Sequence, residues 1–331
     1  MKRVTIYDVA REANVSLATV SRVINGSDVV KEATRNKVQD AITKLGYKPN
    51  AIAQGLALQR TTTIGLIIPE ASFTYIGQII NGLLDVAKIY NYNVMLHTIT
   101  EGITDAEKIV DVIIKSRVDG VIVYSDKMME DSITTLNSYN IPIVMIANKA
   151  SGESLCSVYI DIAKAIRELC NRYIGYGVTD IAVLEDRKNR NSSRLMAHGA
   201  KQAFEANGLS WNNYIEIPNE YRSTYRFVRK YFEDHRHGLV IAYRDSQAMA
   251  VLNSARENGI AVPDDMEVVC FVDTKYNSAV RPMISSFSIP SYDLGAVSMR
   301  VMTKMLENDR VTDKEKCLSY LYTARQTTKH H

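Results

Sequence analysis

Few cysteines and no long apolar run occur in this sequence of 331 residues. The four cysteines, Cys156, Cys170, Cys270 and Cys317, are widely spaced and form no CxxC pair, and no histidine stands at zinc-ligand spacing from them. The pattern disfavours a zinc site and predicts buried, reduced thiols. No apolar segment reaches the ~20 residues that span a bilayer, and none follows the basic residues at the start as it would in a signal peptide. We therefore expect a protein that stays in the cytoplasm.

Sequence motifs of the common enzyme classes are also missing. The chain has no GxGxxG, GxSxG, P-loop or HExxH motif. Its six histidines, two of them at the C-terminal end, leave few candidates for acid-base catalysis. We therefore expect His97, His198, His235 and His237 to be core or surface residues, and we expect no catalytic residue, cofactor or metal.

Length, composition and charge indicate several packed units with a basic head. A hydrophobic content of 46% excludes a largely disordered protein, and 331 residues exceed one small core. Residues 1–60 hold ten Lys or Arg against five Asp or Glu, a net charge of +5, whereas the whole chain carries +3. A basic head on a mildly acidic body favours a polyanion as the partner of the head. On its own, however, a basic stretch is more often a solvated surface.

Three short amphipathic segments fill this head. Apolar residues fall three or four apart between positions 6 and 13, which predicts a helix. Ser16 can cap a second helix, residues 17–25, whose outer face is mostly uncharged with one arginine, Arg22. A third helix carries apolar residues from Val38 to Leu45 and ends at Gly46. This is the pattern of a helix-turn-helix unit, although a generic three-helix bundle that binds no DNA would share it.

Three stretches resemble the head of the lactose-repressor (LacI/GalR) family. They are Thr5-Ile6-Tyr7-Asp8-Val9-Ala10, Val15-Ser16-Leu17-Ala18-Thr19-Val20-Ser21-Arg22-Val23-Ile24-Asn25 and Tyr47-Lys48-Pro49-Asn50-Ala51. The resemblance implies a sequence-specific transcription regulator that binds a pseudo-palindromic operator DNA as a homodimer. Residues 1–48 would be the helix-turn-helix DNA-binding domain, and residues 49–60 would be a hinge helix that folds when two copies meet in the minor groove.

The same resemblance assigns roles to individual residues of the head. Leu17, Ala18 and Arg22 would read base edges. The residues expected against the DNA backbone are Thr5, Tyr7, Ser16, Thr19, Asn25, Thr34 and Tyr47. The residues expected in the minor groove are Asn50, Ala53, Leu56 and Ala57, with Leu56 as an apolar wedge between base pairs.

Beyond residue 60, short apolar runs of strand length alternate with amphipathic segments of helical length. The runs are 64–68, 94–96, 120–123, 141–146, 181–184, 239–242 and 268–272, and the helical segments include 76–90, 105–116, 162–174, 246–258 and 294–306. This alternation predicts an α/β fold with parallel sheets covered on both faces. The family resemblance implies a periplasmic-binding-protein-like core of two Rossmann-like subdomains, 61–160 plus 290–320 and 161–289 plus 321–331, with an effector cleft between them. A sugar-binding receptor of the same fold is disfavoured because no export signal is seen.

The predicted effector cleft departs from that of the sugar- and purine-responsive relatives. Where those relatives place an effector-binding arginine and aspartate, this chain has Met196 and Val272. Asp273 is shifted by one residue, which redirects its side chain, so it cannot be assumed to substitute. The residues left for a cleft are Tyr75, Asp161, Met196, Asp245 and Asp273, although Asp161 and Asp245 suit helix capping better. A small polar effector bound in the usual way is therefore disfavoured.

The segment from Tyr292 to Lys304 is similar to the catabolite control protein A branch of the family. That resemblance implies control of transcription by carbon supply, with the serine-phosphorylated phosphocarrier protein of the sugar phosphotransferase system as a protein corepressor. Asp293, Arg300 and Lys304 are spaced seven and four apart, so they share one helical face whose two cations suit a phosphoserine. The expected docking residues are Tyr292, Asp293, Met299, Arg300 and Lys304. Without the resemblance this face would be an ordinary solvated one, and a repressor that answers a small ligand directly is the alternative.

Overall fold

The computed structural model describes residues 4–48, 60–68, 74–99, 102–124, 130–147, 149–150, 152–186, 190–307 and 311–329. The chain divides into two compact units, Met1–Thr62 and Thr63–His331, which we call the head and the core. The predicted hinge residues Asn50, Ala53, Leu56 and Ala57 lie outside the described residues.

The head is a three-helix bundle with the predicted helix-turn-helix order. Its helices are α1 (Ile6–Ala13), α2 (Leu17–Ile24) and α3 (Glu32–Leu45). Ser16 caps α2 as expected, because its hydroxyl accepts a hydrogen bond from the amide of Thr19 at 3.2 Å. Gly46 ends α3 in the left-handed conformation, with φ of 60°. One valine from each helix, Val9, Val20 and Val38, is fully buried, so the three helices close around one small core.

The core alternates strands and helices as the sequence predicts. In chain order its elements are β1 (Thr63–Ile68), α4 (Thr74–Ile89), β2 (Asn93–Thr98), α5 (Gly102–Ser116), β3 (Gly120–Val123), α6 (Glu130–Ser138), β4 (Ile143–Ile146), β5 (Leu155–Tyr159), α7 (Ile162–Gly175), β6 (Ile181–Asp186), α8 (Arg190–Ala206), β7 (Tyr214–Ile217), α9 (Tyr221–Asp234), β8 (Leu239–Ala242), α10 (Asp245–Glu257), β9 (Glu267–Cys270), α11 (Lys275–Ala279), β10 (Ser285–Ser288), α12 (Ser291–Leu306), β11 (Glu315–Cys317) and β12 (Leu321–Thr323).

These strands form two six-stranded sheets. The first sheet has the order β11-β5-β4-β3-β1-β2 and is parallel throughout. The second has the order β12-β10-β9-β8-β6-β7 and is parallel except for the antiparallel pair β10–β12. The chain crosses from one sheet to the other three times, between β5 and β6, between β10 and β11, and between β11 and β12. The core is therefore a periplasmic-binding-protein-like pair of α/β halves.

Several element bounds differ from the sequence prediction by one to three residues, and β4 and β9 are two examples. β4 begins at Ile143 and not at Ile141, because Pro142 has no amide hydrogen to donate to a neighbouring strand. β9 ends at Cys270, so that Phe271 and Val272 are buried but lie beyond the strand.

The cysteines follow the sequence prediction with one exception. Cys156, Cys170 and Cys270 are buried and free, but Cys317 is exposed because it lies on β11, an edge strand of the first sheet. Over the part of the chain that the structure describes, no cluster of three or more His, Cys, Asp or Glu side chains could hold a metal ion. Within the same residues, no helix is both long enough and apolar enough to cross a membrane.

Candidate functional site

The outer face of α2 presents the three residues predicted to read bases. Leu17, Ala18 and Arg22 are all exposed, whereas Val20 and Val23 on the opposite side fill the head core. Among the described residues, no acidic side chain forms an ion pair with Arg22, so its guanidinium is available to a base edge. A short, largely uncharged helix face with one arginine is suited to the major groove.

The predicted phosphate-contacting residues divide by exposure. Tyr7 is 65% exposed, and Thr5, Ser16 and Asn25 are also exposed, whereas Thr19, Thr34 and Tyr47 are half-buried. The ring of Tyr47 is partly covered because it packs against the head core.

Three of these hydroxyl groups already make hydrogen bonds within the head. The hydroxyl of Thr5 donates to the carboxylate of Asp8 at 2.7 Å, and the hydroxyl of Ser16 lies 2.9 Å from that of Thr19. A phosphate at any of the three positions must share the hydroxyl with these contacts, whereas no such hydrogen bond of the Tyr7 hydroxyl is seen among the described residues.

Helices α4 and α12 lie side by side on the first sheet and approach closely at two glycines. A Cβ atom on Gly82 would collide with the main-chain oxygen of Tyr292, and one on Gly295 would collide with that of Ile79. The absence of a side chain at both positions lets the helices touch along their backbones. This contact fixes the exposed residues of α4 beside those of α12.

The exposed face of α12 carries four of the five predicted docking residues. Tyr292, Asp293, Arg300 and Lys304 are exposed. The hydroxyl of Tyr292 donates to the carboxylate of Asp85 on α4 at 2.9 Å, and this hydrogen bond raises the pKa of the tyrosine. We call Tyr292, Asp293, Arg300 and Lys304 of α12, together with Asp85 of α4, the docking face. It presents two cations one helical turn apart and a tyrosine held in place by its neighbour.

Met299 does not belong to this face, which corrects the sequence prediction. Its side chain is fully buried in the core. One residue along a helix turns the side chain by about 100°, so the residue before the exposed Arg300 points towards the sheet.

Three of the predicted cleft residues serve the fold. Asp161 is the N-cap of α7 and accepts a hydrogen bond from the amide of Lys164 at 2.9 Å, as the capping interpretation expects. Asp245 lies in the first turn of α10 but is not its N-cap, and its carboxylate accepts from the hydroxyl of Thr274 at 2.6 Å. Met196 is fully buried in the core. The expectation that Met196 lines a cleft is therefore wrong, because the side chain reaches no open space.

Asp273 is neutralised by an arginine from the C-terminal segment. Arg325 meets its carboxylate with two nitrogens, at 2.6 and 3.2 Å, and also donates to the carbonyl of Ile284 at 2.7 Å. A cavity of about 500 Å³ borders this pair together with Tyr75, Lys275 and other residues. The carboxylate of Asp273 is thus already occupied at the edge of the cavity. Arg325 was not found from the sequence because 52 residues separate it from Asp273.

A second ion pair, also missed in the sequence, lies at the end of two neighbouring strands. Arg244 follows β8 and Asp186 ends β6, and their side chains are only 3% and 1% exposed. The guanidinium of Arg244 donates to Asp186 and, at 2.7 Å, to the side chain of Asn219, while Gln247 donates to the same carboxylate at 3.2 Å. The sequence did carry a signal for this pair, because both residues stand at the carboxyl ends of strands that are neighbours in a parallel sheet. Such ends meet at one edge of the sheet.

Comparison with known proteins gives matches to both units of the chain. The model of the bacterial regulatory proteins of the lacI family matches residues 5–50, and that of a periplasmic binding protein-like domain matches residues 170–328. The chain is 35% identical over 326 residues to the HTH-type transcriptional regulator pepR1 of Lactobacillus delbrueckii subsp. lactis, with 98% of each chain covered. It is 33% identical over 329 residues to catabolite control protein A of Staphylococcus aureus, covering 98% of this chain and 99% of the relative. The solved structure of the lac repressor dimer bound to operator and the anti-inducer ONPF has a TM-score of 0.87 at 24% identity, over 99% of both chains.

Proposed function

Since this chain belongs to the lacI family of bacterial regulatory proteins and is a DNA-binding transcriptional regulator, we propose that it acts in carbon catabolite control, as a homodimer on a pseudo-palindromic operator. The corepressor in this proposal is the serine-phosphorylated phosphocarrier protein of the sugar phosphotransferase system. The observation that carries the proposal is the docking face, where Arg300 and Lys304 stand one turn apart and exposed on α12.

The head supplies operator recognition. Helix α2 enters the major groove, where Arg22 donates to a base edge while Leu17 and Ala18 make apolar contacts. Tyr7 and the other backbone-facing residues fix the position of the helix on the phosphates without reading sequence. The hinge assignments, Leu56 as a wedge above all, stay predictions because they lie outside the described residues.

The docking face suits a phosphorylated protein. A phosphoserine carries a charge of about −1.5 to −2 at neutral pH and offers three acceptor oxygens, which Arg300 and Lys304 can receive. Apolar side chains at the C-terminal end of the adjoining helix α4 supply contact area, since Ile89 is 71% exposed and Tyr90, directly after the helix, is 43% exposed. A patch that joins two cations to exposed apolar groups matches the usual make-up of a protein interface.

The test is a fluorescence-anisotropy titration of a labelled pseudo-palindromic catabolite operator at one fixed salt concentration, because phosphate contacts make affinity strongly salt-dependent. It is run with and without the serine-phosphorylated phosphocarrier protein. We expect the phosphoprotein to tighten binding of the wild-type chain. In the double variant Arg300→Ala and Lys304→Ala this stimulation should disappear, because each lost charge-assisted hydrogen bond weakens docking by about tenfold or more.

A matched control is available on α9. Arg226 and Lys230 have the same spacing and are exposed on the other half of the core. Their double replacement by alanine should leave the stimulation intact, and both double variants should bind the operator normally without corepressor. Stimulation that survives in the Arg300 and Lys304 variant would refute the docking face. Operator binding that ignores the phosphoprotein altogether would refute the choice of corepressor and leave the DNA-binding function standing.

One observation favours the alternative of a directly sensed small ligand. The cavity of about 500 Å³ beside Tyr75, Asp273 and Arg325 has the volume of a small-molecule site. Its one well-placed carboxylate is already paired with Arg325, however, which is why we rank this function second.

A further inference from the structure

Three tyrosines meet between the two halves of the core. Tyr75 lies at the start of α4 and Tyr124 directly follows β3, so both belong to the half built on the first sheet. Tyr243 directly follows β8 of the second sheet. The rings of Tyr75 and Tyr124 meet edge-on, with centroids 6.3 Å apart. The hydroxyl of Tyr124 lies close to those of Tyr75 and Tyr243, and the three side chains border one small space, so this contact joins the two halves.

This contact leaves little room for water. Burial raises the pKa of Tyr124 well above its usual range, and the neighbouring hydroxyls of Tyr243 and Tyr75 add to the effect. The space left among the three rings, Phe271 and their neighbours is about 20 Å³, which holds at most one water molecule. Small-molecule sites have volumes of about 300–1,000 Å³. The tyrosines therefore fill the middle of the interface, and the larger cavity lies to one side of them, with Tyr75 bordering both.

A row of aromatic rings anchors Tyr243 in its own half. Its ring stacks on Phe271 at 5.7 Å, and Phe271 contacts Phe287 on β10 at 5.3 Å. Phe287 in turn meets Tyr320 edge-on at 5.7 Å, in the segment where the chain crosses between the sheets for the last time. The tyrosine contact is thus continuous with a packed column and with a crossover. Movement of one half against the other must break this contact first.

We propose that Tyr75, Tyr124 and Tyr243 form a latch that holds the two halves of the core closed without any bound small molecule. In two-lobed proteins that close around a ligand, contacts to the ligand stabilise the closed arrangement. Here side chains of the chain itself supply contacts from both halves. The latch concerns the core alone and does not depend on the proposed corepressor.

Spin-label distance measurement on the full chain tests the latch. One label is placed at Lys115→Cys on α5 and the other at Lys201→Cys on α8, both exposed positions, in a background with Cys317→Ser to remove the exposed native thiol. The labelled chain is mixed with an excess of unlabelled chain, so that only distances within one chain are measured. We expect a single narrow distance distribution without ligand, unchanged by a panel of sugars and sugar phosphates. A ligand-free protein that already shows a second, longer population would overturn the proposal.

Variants at the latch separate closure from ordinary core packing. The double variant Tyr124→Ala and Tyr243→Ala should show a longer-distance population, and added p-cresol, which replaces the lost phenol groups, should reverse the change. The single variant Tyr124→Phe keeps the ring but loses the hydroxyl that lies beside those of Tyr75 and Tyr243, so it should also populate the longer distance. The control Tyr139→Ala removes a tyrosine that is 59% exposed and should leave the distribution unchanged.

The outcomes of this experiment are distinct. A double variant that loses thermal stability but keeps the narrow distribution would show that the rings are packing only, and the latch would be refuted. A Tyr124→Phe variant that behaves as wild type would refute the role of the Tyr124 hydroxyl. Recovery of the narrow distribution with p-cresol supports the latch, because a filled cavity alone does not require the two halves to come together.

Discussion

Replacing Arg244 by methionine is expected to destabilise the core strongly. The change keeps a side chain of similar length but leaves the carboxylate of Asp186, which is only 1% exposed, without the charge of Arg244. Asp186 would keep the weaker bond from Gln247 at 3.2 Å, and Asn219 would lose the guanidinium that donates to it at 2.7 Å. Breaking a buried ion pair from one side costs about 3–5 kcal/mol, because the remaining charge cannot regain its hydration. At about 2 °C for each kcal/mol in a domain of this size, Tm should fall by roughly 6–10 °C.

Urea titration followed by far-UV circular dichroism measures this loss, and a double variant identifies its cause. Arg244→Met combined with Asp186→Leu removes both charges, so we expect it to recover most of the lost free energy of unfolding. Arg222→Met, at an exposed position on α9, serves as the control and should change that free energy by less than about 0.5 kcal/mol. A single Arg244 variant that loses under about 1 kcal/mol, or a double variant that is less stable than the single one, would refute the reasoning.

Three further predictions concern thiols, alkaline pH and DNA. Ellman's reagent should react rapidly with Cys317 alone in the folded protein. Burial raises the pKa of the Cys170 thiol to about 12, and Cys156 and Cys270 are also buried. A second thiol that reacts rapidly would contradict this prediction. Burial, with Tyr322 and Glu267 close by, holds the pKa of Tyr173 well above its usual range. The contribution of Tyr173 to the free energy of unfolding is therefore complete below about pH 10, and above that pH it declines by about 1.4 kcal/mol per pH unit. The tyrosinate absorbance of Tyr173, measured as the difference from a Tyr173→Phe variant, should therefore rise together with the loss of circular dichroism, and an earlier rise would count against it. Arg22→Ala should weaken operator binding by about 1–3 kcal/mol and relax the preference at one base pair in an anisotropy titration, whereas an equal loss on unrelated DNA would assign Arg22 to a phosphate.

Much of the fold could be predicted because apolar periodicity dominates most of its elements. The bounds of α1 agree with the prediction at both ends, and the strand-helix alternation of the core gives its α/β class. The segment β10 was missed because three of its four residues are serines. Ser285 and Ser286 are fully buried, and the hydroxyl of Ser285 lies 2.7 Å from that of Thr328. Its polar groups find partners within the protein, which hydropathy along the chain cannot show.

The candidate sites could be predicted where they depend on one helix and not where they join distant segments. Helical spacing placed Arg300 and Lys304 on one face, whereas Met299 was included because of the family resemblance. Only the packing of α12 on the sheet shows that Met299 lies on the covered side. The hydrogen bond from Tyr292 to Asp85 joins residues 207 positions apart, and no local pattern predicts it. Contacts of this kind follow from topology, which had to be known first.

The order of the strands along the chain has a consequence for synthesis on the ribosome. β11 and β12 lie within the C-terminal segment 311–329, and each forms an edge of a different sheet. The first sheet therefore cannot be completed until five of the six strands of the second sheet, β6 to β10, have been translated, at about 5–20 residues per second. During that interval the edge of β5 stays unpaired, so a nascent chain exposes a strand edge that other chains can join. A chain that stops just before residue 311 would lack an edge strand in each sheet. It would also lack Arg325, which forms the ion pair with Asp273.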